Sequence, residues 1–558
     1  MSESRPWLTN YPSGVPANID AEAYASLVAL FEECFKKYGS KPAFSCMGKE
    51  LSYRQIDKLS KDFGAYLQSR GLEKGDKIAL MMPNLLQYPI ALLGALRAGL
   101  VVVNTNPLYT PREMHHQFSD AGVKAIVIAE NFASKLEQIL PDTSIKMVIT
   151  TSIGELLGML KGTVVNLVVR RLKKMVPAYN IPNSVTFKEA LSLGKRFKLK
   201  DLEHSPEDVI LLQYTGGTTG VSKGAMLTNK NLVANMLQVR AYIGPFLEEG
   251  KEIALCPLPM YHIFAFTVNC LAMMELGALS VLITNARDLD TVIGAMKSYK
   301  VSLMTGVNTL FNALTNNANF KALDFSSLKV TVGGGMAVQR PVAESWQRIT
   351  GCILSEGYGM TEASPVVTVN PLDSTGKIGS IGLPLPSTDV RIVDEQGNVL
   401  AAEQIGEIQV KGPQVMKGYY MRPEETNKTI LDGWLCTGDI GRMLPEGFFQ
   451  IVDRKKDMIL VSGFNVYPNE IEEVLAGHPK VLEVAAIGIP DKKSGEAVKV
   501  FVVKKDKSLS EKELVGYCKE NLTGYKVPKE VEFRKELPKT NVGKILRREL
   551  RDGTHAEE

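Results

Sequence analysis

The chain has 558 residues, 45% of them hydrophobic and 23% charged, with a formal net charge of +4. That length exceeds what one hydrophobic core organises, so two or more domains are expected in an ordinary soluble, globular composition. The small charge excess excludes a nucleic-acid partner. Cys34, Cys46, Cys256, Cys270, Cys352, Cys436 and Cys518 form no CxxC pair, which excludes a disulfide framework or zinc ribbon and fits reduced thiols in a cytosol.

Residues 1–20 hold no apolar run, so no secretory leader is expected. Ile56, Leu59, Phe63 and Leu67 share one helical face, and strand patterns follow over 77–82 and 123–129. Residues 156–175 combine leucines and valines with Lys161, Arg170, Arg171, Lys173 and Lys174 and hold no acidic residue. This segment reads either as a basic amphipathic surface for an anionic membrane or as a solvated helix packed on its own domain. A buried strand is predicted over 209–212. Residues 253–274 carry no Asp, Glu, Lys or Arg, but Pro257, Pro259, His262 and Asn269 interrupt the run. Buried core is expected there rather than a membrane span. Further strands over 279–283 and 329–332 complete an alternation that predicts α/β layers with largely parallel sheets.

From about 376 to 453, short strands separated by Gly, Pro and Asp predict a β-rich lobe. The charge cluster Asp453-Arg454-Lys455-Lys456-Asp457 marks a boundary between an N-terminal domain, 1–453, and a C-terminal one, 454–558. Strands over 484–489 and 498–503 and a capping-box signature from Ser510 to Glu513 predict a compact α+β unit beyond it.

The chemistry gathers around one loop. Thr215, Gly216, Gly217, Thr218, Thr219, Gly220, Ser222, Lys223 and Gly224 follow the 209–212 strand. Glycines let successive N–H groups converge on an anion, and hydroxyls and a lysine add donors, which suits a triphosphate. The spacing is not that of a P-loop, so a nucleotide site of another kind is predicted. Glu356, Gly357, Tyr358, Thr361 and Glu362 supply an aromatic for adenine, a hydroxyl for phosphate and a carboxylate for Mg2+. Asp439 suits adjacent ribose hydroxyls, with Arg454 as companion at the sugar or phosphate. Gly334 and Gly335 end a strand where backbone can approach a ligand. His262 on its own reads as a satisfied core histidine, while Ile263, Phe264 and Phe266 suit the wall of an apolar channel. Lys544 stands near the chain end beside Gly543, where a helix start would make it an anion ligand.

In this order, from about residue 20 to 552, these clusters resemble the adenylate-forming superfamily of acyl-CoA synthetases, luciferases and peptide-synthetase adenylation domains. Residues 432–456 are similar to the signature segment of fatty acyl-CoA synthetases, and the whole chain is most similar to the bacterial long-chain fatty-acid–CoA ligases. Cys436 departs from the histidine usual before Thr-Gly-Asp there. The resemblance implies two layered α/β lobes plus a β-barrel-like lobe, followed by a small mobile α+β C-terminal domain. It implies fatty acid, ATP and coenzyme A as substrates, with Mg2+, and acyl-AMP as the intermediate. Lys544, Glu362, Thr361 and His262 would be catalytic, Lys456 the hinge, and Gly463 part of the pantetheine path. His262, Phe264, Gly306, Asn308 and Thr309 would surround the acyl group. A cytoplasmic protein in peripheral contact with the inner face of a membrane is expected, with a homodimer left open. Alternatives are a medium-chain or aryl acid–CoA ligase, an acyl-AMP ligase serving a carrier protein, or a silent lipid-binding relative. The intact Lys544, Glu362 and glycine loop speak against the last.

Overall fold

The structure is a computed structural model that describes residues 5–215, 222–491, 493–540, 543–551 and 553. Its helices begin where local chemistry dictates. Ser52 opens the helix Tyr53–Ser69 with a reciprocal capping box, its Oγ accepting from the Gln55 amide and Gln55 Oε1 accepting from the Ser52 amide. Ile56, Phe63 and Leu67 of that helix are fully buried, as their spacing predicts.

Two large sheets form the N-terminal part. In an eight-stranded sheet, Lys77–Met81, Val101–Asn104, Val123–Ala129 and Met147–Thr151 run parallel. Val209–Thr215 continues it in parallel and then pairs antiparallel with Lys223–Thr228. Gly418–Tyr419 adds one more antiparallel strand at that edge. The second sheet has nine strands, with Ile253–Cys256, Leu279–Leu282, Leu303–Gly306, Val330–Gly333 and Leu354–Gly359 in its parallel centre. Near-continuous apolar runs are the signature of strands covered on both faces. One apolar core runs through both sheets, from Phe63 and Tyr88 to Phe311 and Trp346.

Residues 253–274 are core, as expected: the strand Ile253–Cys256 is followed by helical turns lined by buried residues. No described helix is long and apolar enough to cross a membrane.

A five-stranded antiparallel sheet follows, containing Asp389–Val393, Gly406–Lys411, Trp434–Met443 and Phe449–Arg454. The smaller C-terminal domain has its own sheet, from Ile459–Val461 to Glu530–Arg534, and its own core around Ile471, Leu475, Val500 and Leu514. Ser510 caps the helix Glu511–Asn521 through the Glu513 amide, but only half the capping box forms. The Glu513 carboxylate turns instead to Lys480, 2.9 Å away.

Candidate functional site

A cavity of about 690 Å3 lies at the carboxyl ends of the central strands of the nine-stranded sheet. Ligand sites of parallel α/β sheets form in that position, because loops leaving neighbouring strands diverge there. Val307, Gly334, Gly335 and residues 360–362 follow these strand ends and, with Gly357, Tyr358 and Gly359 of the last strand, form part of its wall.

The β-rich sheet supplies the next wall through register. Asp439 and Arg454 face each other across an antiparallel pair, with Arg454 Nε 3.3 Å from Asp439 Oδ1. The Tyr358 hydroxyl donates to Asp439 Oδ2 at 2.7 Å, and burial raises its pKa well above the ordinary phenol value. Asp439 thus stands fixed between a phenol and a guanidinium, with its edge on the cavity.

Glu362 is buried, and desolvation raises its carboxyl above the usual range. The Tyr419 hydroxyl donates to its Oε1 at 2.7 Å, and the Met416 amide donates to its backbone carbonyl. Among the described residues no cluster of three or more His, Cys, Asp or Glu could enclose a metal ion.

Thr215 and Lys223 are a cross-strand pair of the antiparallel strands Val209–Thr215 and Lys223–Thr228. Gly216, Gly217, Thr218, Thr219 and Gly220 lie outside the described residues. Lys223 lines the cavity, pairs with Glu425 and has its ammonium 5.3 Å from the Tyr419 ring centre.

His262 Nδ1 accepts from the Phe264 amide at 3.3 Å. Burial, and secondarily Lys544, push the imidazole down to about 4, so it is neutral at pH 7 with its proton on Nε2.

Lys544 reaches the same cavity from the C-terminal domain. Contrary to the expectation of a helix start, it sits on a tight hairpin, and the helix Arg547–Arg551 begins only afterwards. The hairpin closes because the Thr540 amide donates to the Lys544 carbonyl at 2.7 Å while Gly543 takes φ +83°. Thr309 Oγ1 donates to the Gly543 carbonyl at 3.1 Å, which ties the hairpin to the N-terminal part. Burial first, then repulsion from Arg454, lowers the ammonium to about 7. Lys456 lines the cavity at the turn after Phe449–Arg454, and burial lowers its pKa too.

The cavity therefore collects Thr215, Lys223, His262, Phe264, Gly334, Gly335, Gly357, Tyr358, Thr361, Glu362, Asp439, Arg454, Lys456 and Lys544. Of the described residues singled out in the sequence, Ser222, Gly224, Phe266, Gly306, Asn308, Thr309, Glu356 and Gly463 do not line it, and Phe266 is packed in the core instead of on the channel wall. Thr305 and Val307 form the wall beside Gly306, whose bare Cα instead makes room for the Phe311 ring. Asn308 exchanges hydrogen bonds with Gln339 at 3.0 Å each way, and Thr309 serves the Lys544 hairpin. Glu356 stands off the wall with its carboxyl pushed up to about 8 by burial. Gly463, at φ +84°, turns a hairpin of the C-terminal domain in open space.

Sequence reasoning missed Tyr419, whose role depends on a strand pairing that no local pattern announces. It also missed Val239, Tyr242 and Ile243, which line the apolar arm with Leu258, Val268 and Leu303. Their i, i+3, i+4 spacing on the helix Asn229–Ile243 was the available signal.

This fold and cavity define an adenylate-forming enzyme, and the chain belongs to the AMP-binding enzyme family. The AMP-binding enzyme model matches residues 31–420 and the AMP-binding enzyme C-terminal domain matches 470–544. A long-chain-fatty-acid–CoA ligase of Escherichia coli O6:H1 is 57% identical over 98% of each chain. Among solved structures, anthranilate CoA ligase AuaEII in complex with anthranoyl-AMP superposes with a TM-score of 0.85 at 23% identity, covering 96% of this chain and 99% of its own. ATP-bound MatB from Rhodopseudomonas palustris superposes with a TM-score of 0.81 at 27% identity, covering 94% and 98%.

Proposed function

We infer that this chain is a long-chain fatty-acid–CoA ligase that works through acyl-AMP. One observation carries the reading: a single cavity joins a cationic, hydroxyl-rich end at Lys544, Arg454 and Thr361 to an apolar arm at Val239, Tyr242 and Ile243. The near-full-length identity to a ligase of that name supports the same substrate class.

In the first half-reaction a fatty carboxylate oxygen attacks the α-phosphorus of ATP. The bond to the bridging oxygen breaks, releasing pyrophosphate and leaving acyl-AMP. In the second, the coenzyme A thiol gives up its proton and attacks the acyl carbonyl, and AMP departs with the electron pair of the broken C–O bond. Two anions meet in the first step, so fixed donors must offset their repulsion. Lys544 bridges carboxylate and α-phosphate, Thr361 and the 215–223 loop hold the phosphates, and Asp439 with Arg454 holds the ribose. Neutral His262 borders the acyl carboxyl and donates from Nε2. Glu362, desolvated and bearing a donor on one oxygen, would hold Mg2+, which would neutralise triphosphate charge.

The C-terminal domain, divided from the rest at 453/454, turns about Lys456 between half-reactions, withdrawing Lys544 and bringing Gly463 to the thiol path. The same reading places the protein in the cytoplasm, in peripheral contact with the inner face of the membrane.

The test is product formation from ATP, Mg2+, coenzyme A and palmitate, with pyrophosphate exchange followed in Lys544→Ala. Thioester and AMP should form in equal amounts, and exchange should fall by roughly 10²–10³ in the variant. Wild-type protein that releases pyrophosphate without making thioester would refute the ligase assignment.

A further inference from the structure

The helix Met159–Leu167 and the turns after it are mounted inside out. A surface helix ordinarily buries its apolar stripe and exposes its polar one. Here Met159 is 87% exposed, Leu160 85%, Leu172 75%, Val164 60% and Leu167 57%. Polar groups and bare backbone, together with Val165 and the buried Val169, face the protein. Asn166 Oδ1 accepts from the Gly154 amide at 2.8 Å, and its Nδ2 donates to Ser152 Oγ at 2.9 Å. Arg170 grips Glu130 through two hydrogen bonds of 2.9 and 2.6 Å. Gly162 lies directly on Gly154, where any Cβ would overlap the facing carbonyl. The seat is therefore specific, and the apolar outer face is a built feature rather than a loose end.

Exposed Arg171, Lys173 and Lys174 border that face, and residues 156–175 contain no acidic side chain. Lys161 donates to the carbonyl of Met47, itself 39% exposed, which extends the apolar rim. A contiguous apolar patch ringed by cations matches an anionic bilayer, whose headgroups attract the basic rim while the acyl region takes the apolar residues.

We propose that the outer face of residues 159–175 is a rigid docking platform for an anionic lipid bilayer. This rests on the membrane contact in the functional reading and names the surface that makes it. Because the helix is already folded and seated, docking requires no ordering of a disordered segment, and it weakens as salt screens the cationic rim.

The experiment is co-sedimentation of full-length protein with vesicles of phosphatidylethanolamine and phosphatidylglycerol, against vesicles of phosphatidylcholine alone. Two variants are compared with wild type: R171Q/K173Q/K174Q and M159S/L160S/V164S. All substituted side chains are exposed, so both variants are expected to fold. Wild type should bind the anionic vesicles and leave them as salt rises. The charge variant should lose on the order of 100-fold in partitioning, and the apolar variant about tenfold or more. Unchanged partitioning of both variants would overturn the proposal. So would a wild-type dimer that M159S/L160S/V164S converts to monomer without altered partitioning, since the face would then belong to a second copy. Palmitoyl-CoA formation without vesicles should be equal in all three proteins. Its absence from wild type would refute the ligase reading and leave the partitioning result to judge the platform separately.

Discussion

Burial and the neighbouring Arg454 hold the Lys544 ammonium down to about 7, so the free protein carries it partly deprotonated at neutral pH. A bound polyphosphate favours the charged form and raises that value. Between pH 7 and the raised value, ATP binding must therefore take up a proton. Calorimetric titration at pH 8 in buffers of different ionisation enthalpy should show net uptake in wild type and none at this site in Lys544→Ala. Glu362 behaves oppositely: burial raises its carboxyl, and the Tyr419 hydroxyl draws it back. Tyr419→Phe removes that donor, so the carboxyl moves up further. The acid limb of the pH profile for acyl-AMP formation should shift to higher pH, with activity near pH 8 affected least. An unmoved limb would disconnect Tyr419 from the reacting carboxylate.

At the scale of elements, the segment 453–457 joins what the two large parts of the chain must share. Asp453 is fully buried, its carboxylate 3.3 Å from Arg547 Nη1 and accepting from the Asn469 amide at 2.9 Å. Arg547 also holds Asp457 and Glu472, so the base of the Lys544 hairpin is fastened to the turn that contains Lys456. Proline at 456 fixes φ and restricts the residue before it. Lys456→Pro should leave pyrophosphate exchange within about threefold of wild type while thioester formation from acyl-AMP falls by at least tenfold, the rotation being the step it obstructs. A variant that turns over acyl-AMP at the normal rate would contradict the hinge.

Element patterns were legible where periodicity was strong, as on the helix Tyr53–Ser69 and the strand Val123–Ala129. The placement of Lys544 was not. Pro538 and Gly543 signal a turn, but the fastening comes from Thr309, more than two hundred positions away in sequence. Glu513 likewise reads as a capping-box partner until the tertiary fold offers it Lys480.

Across the whole molecule, motif residues scattered over more than three hundred positions meet in one cavity, because the carboxyl ends of parallel strands, the antiparallel Asp439–Arg454 pair and the Lys544 hairpin border the same space. The sequence signals named Lys223, Thr361, Glu362, Asp439, Arg454 and Lys544 at the polar end of that cavity but not Glu407, Tyr419 or Lys428, and they named its apolar arm poorly. Glycines, hydroxyls and charges are conspicuous in a chain, whereas Val239, Tyr242 and Ile243 look like any other helical core stripe until the cavity shows beside them. In the proposed function that arm separates a long-chain enzyme from one for short or aryl acids, since each methylene buried there would contribute about 0.8 kcal/mol. The most direct measurement is the rate of thioester and AMP formation across saturated acids from acetate to stearate, in wild type and in Ile243→Trp. Activity should peak at roughly twelve carbons or longer in wild type, and the tryptophan should shift the peak to shorter acids by filling the arm. A medium-chain optimum in wild type, or an unchanged profile in Ile243→Trp, would contradict the assignment of this cavity to long acyl chains.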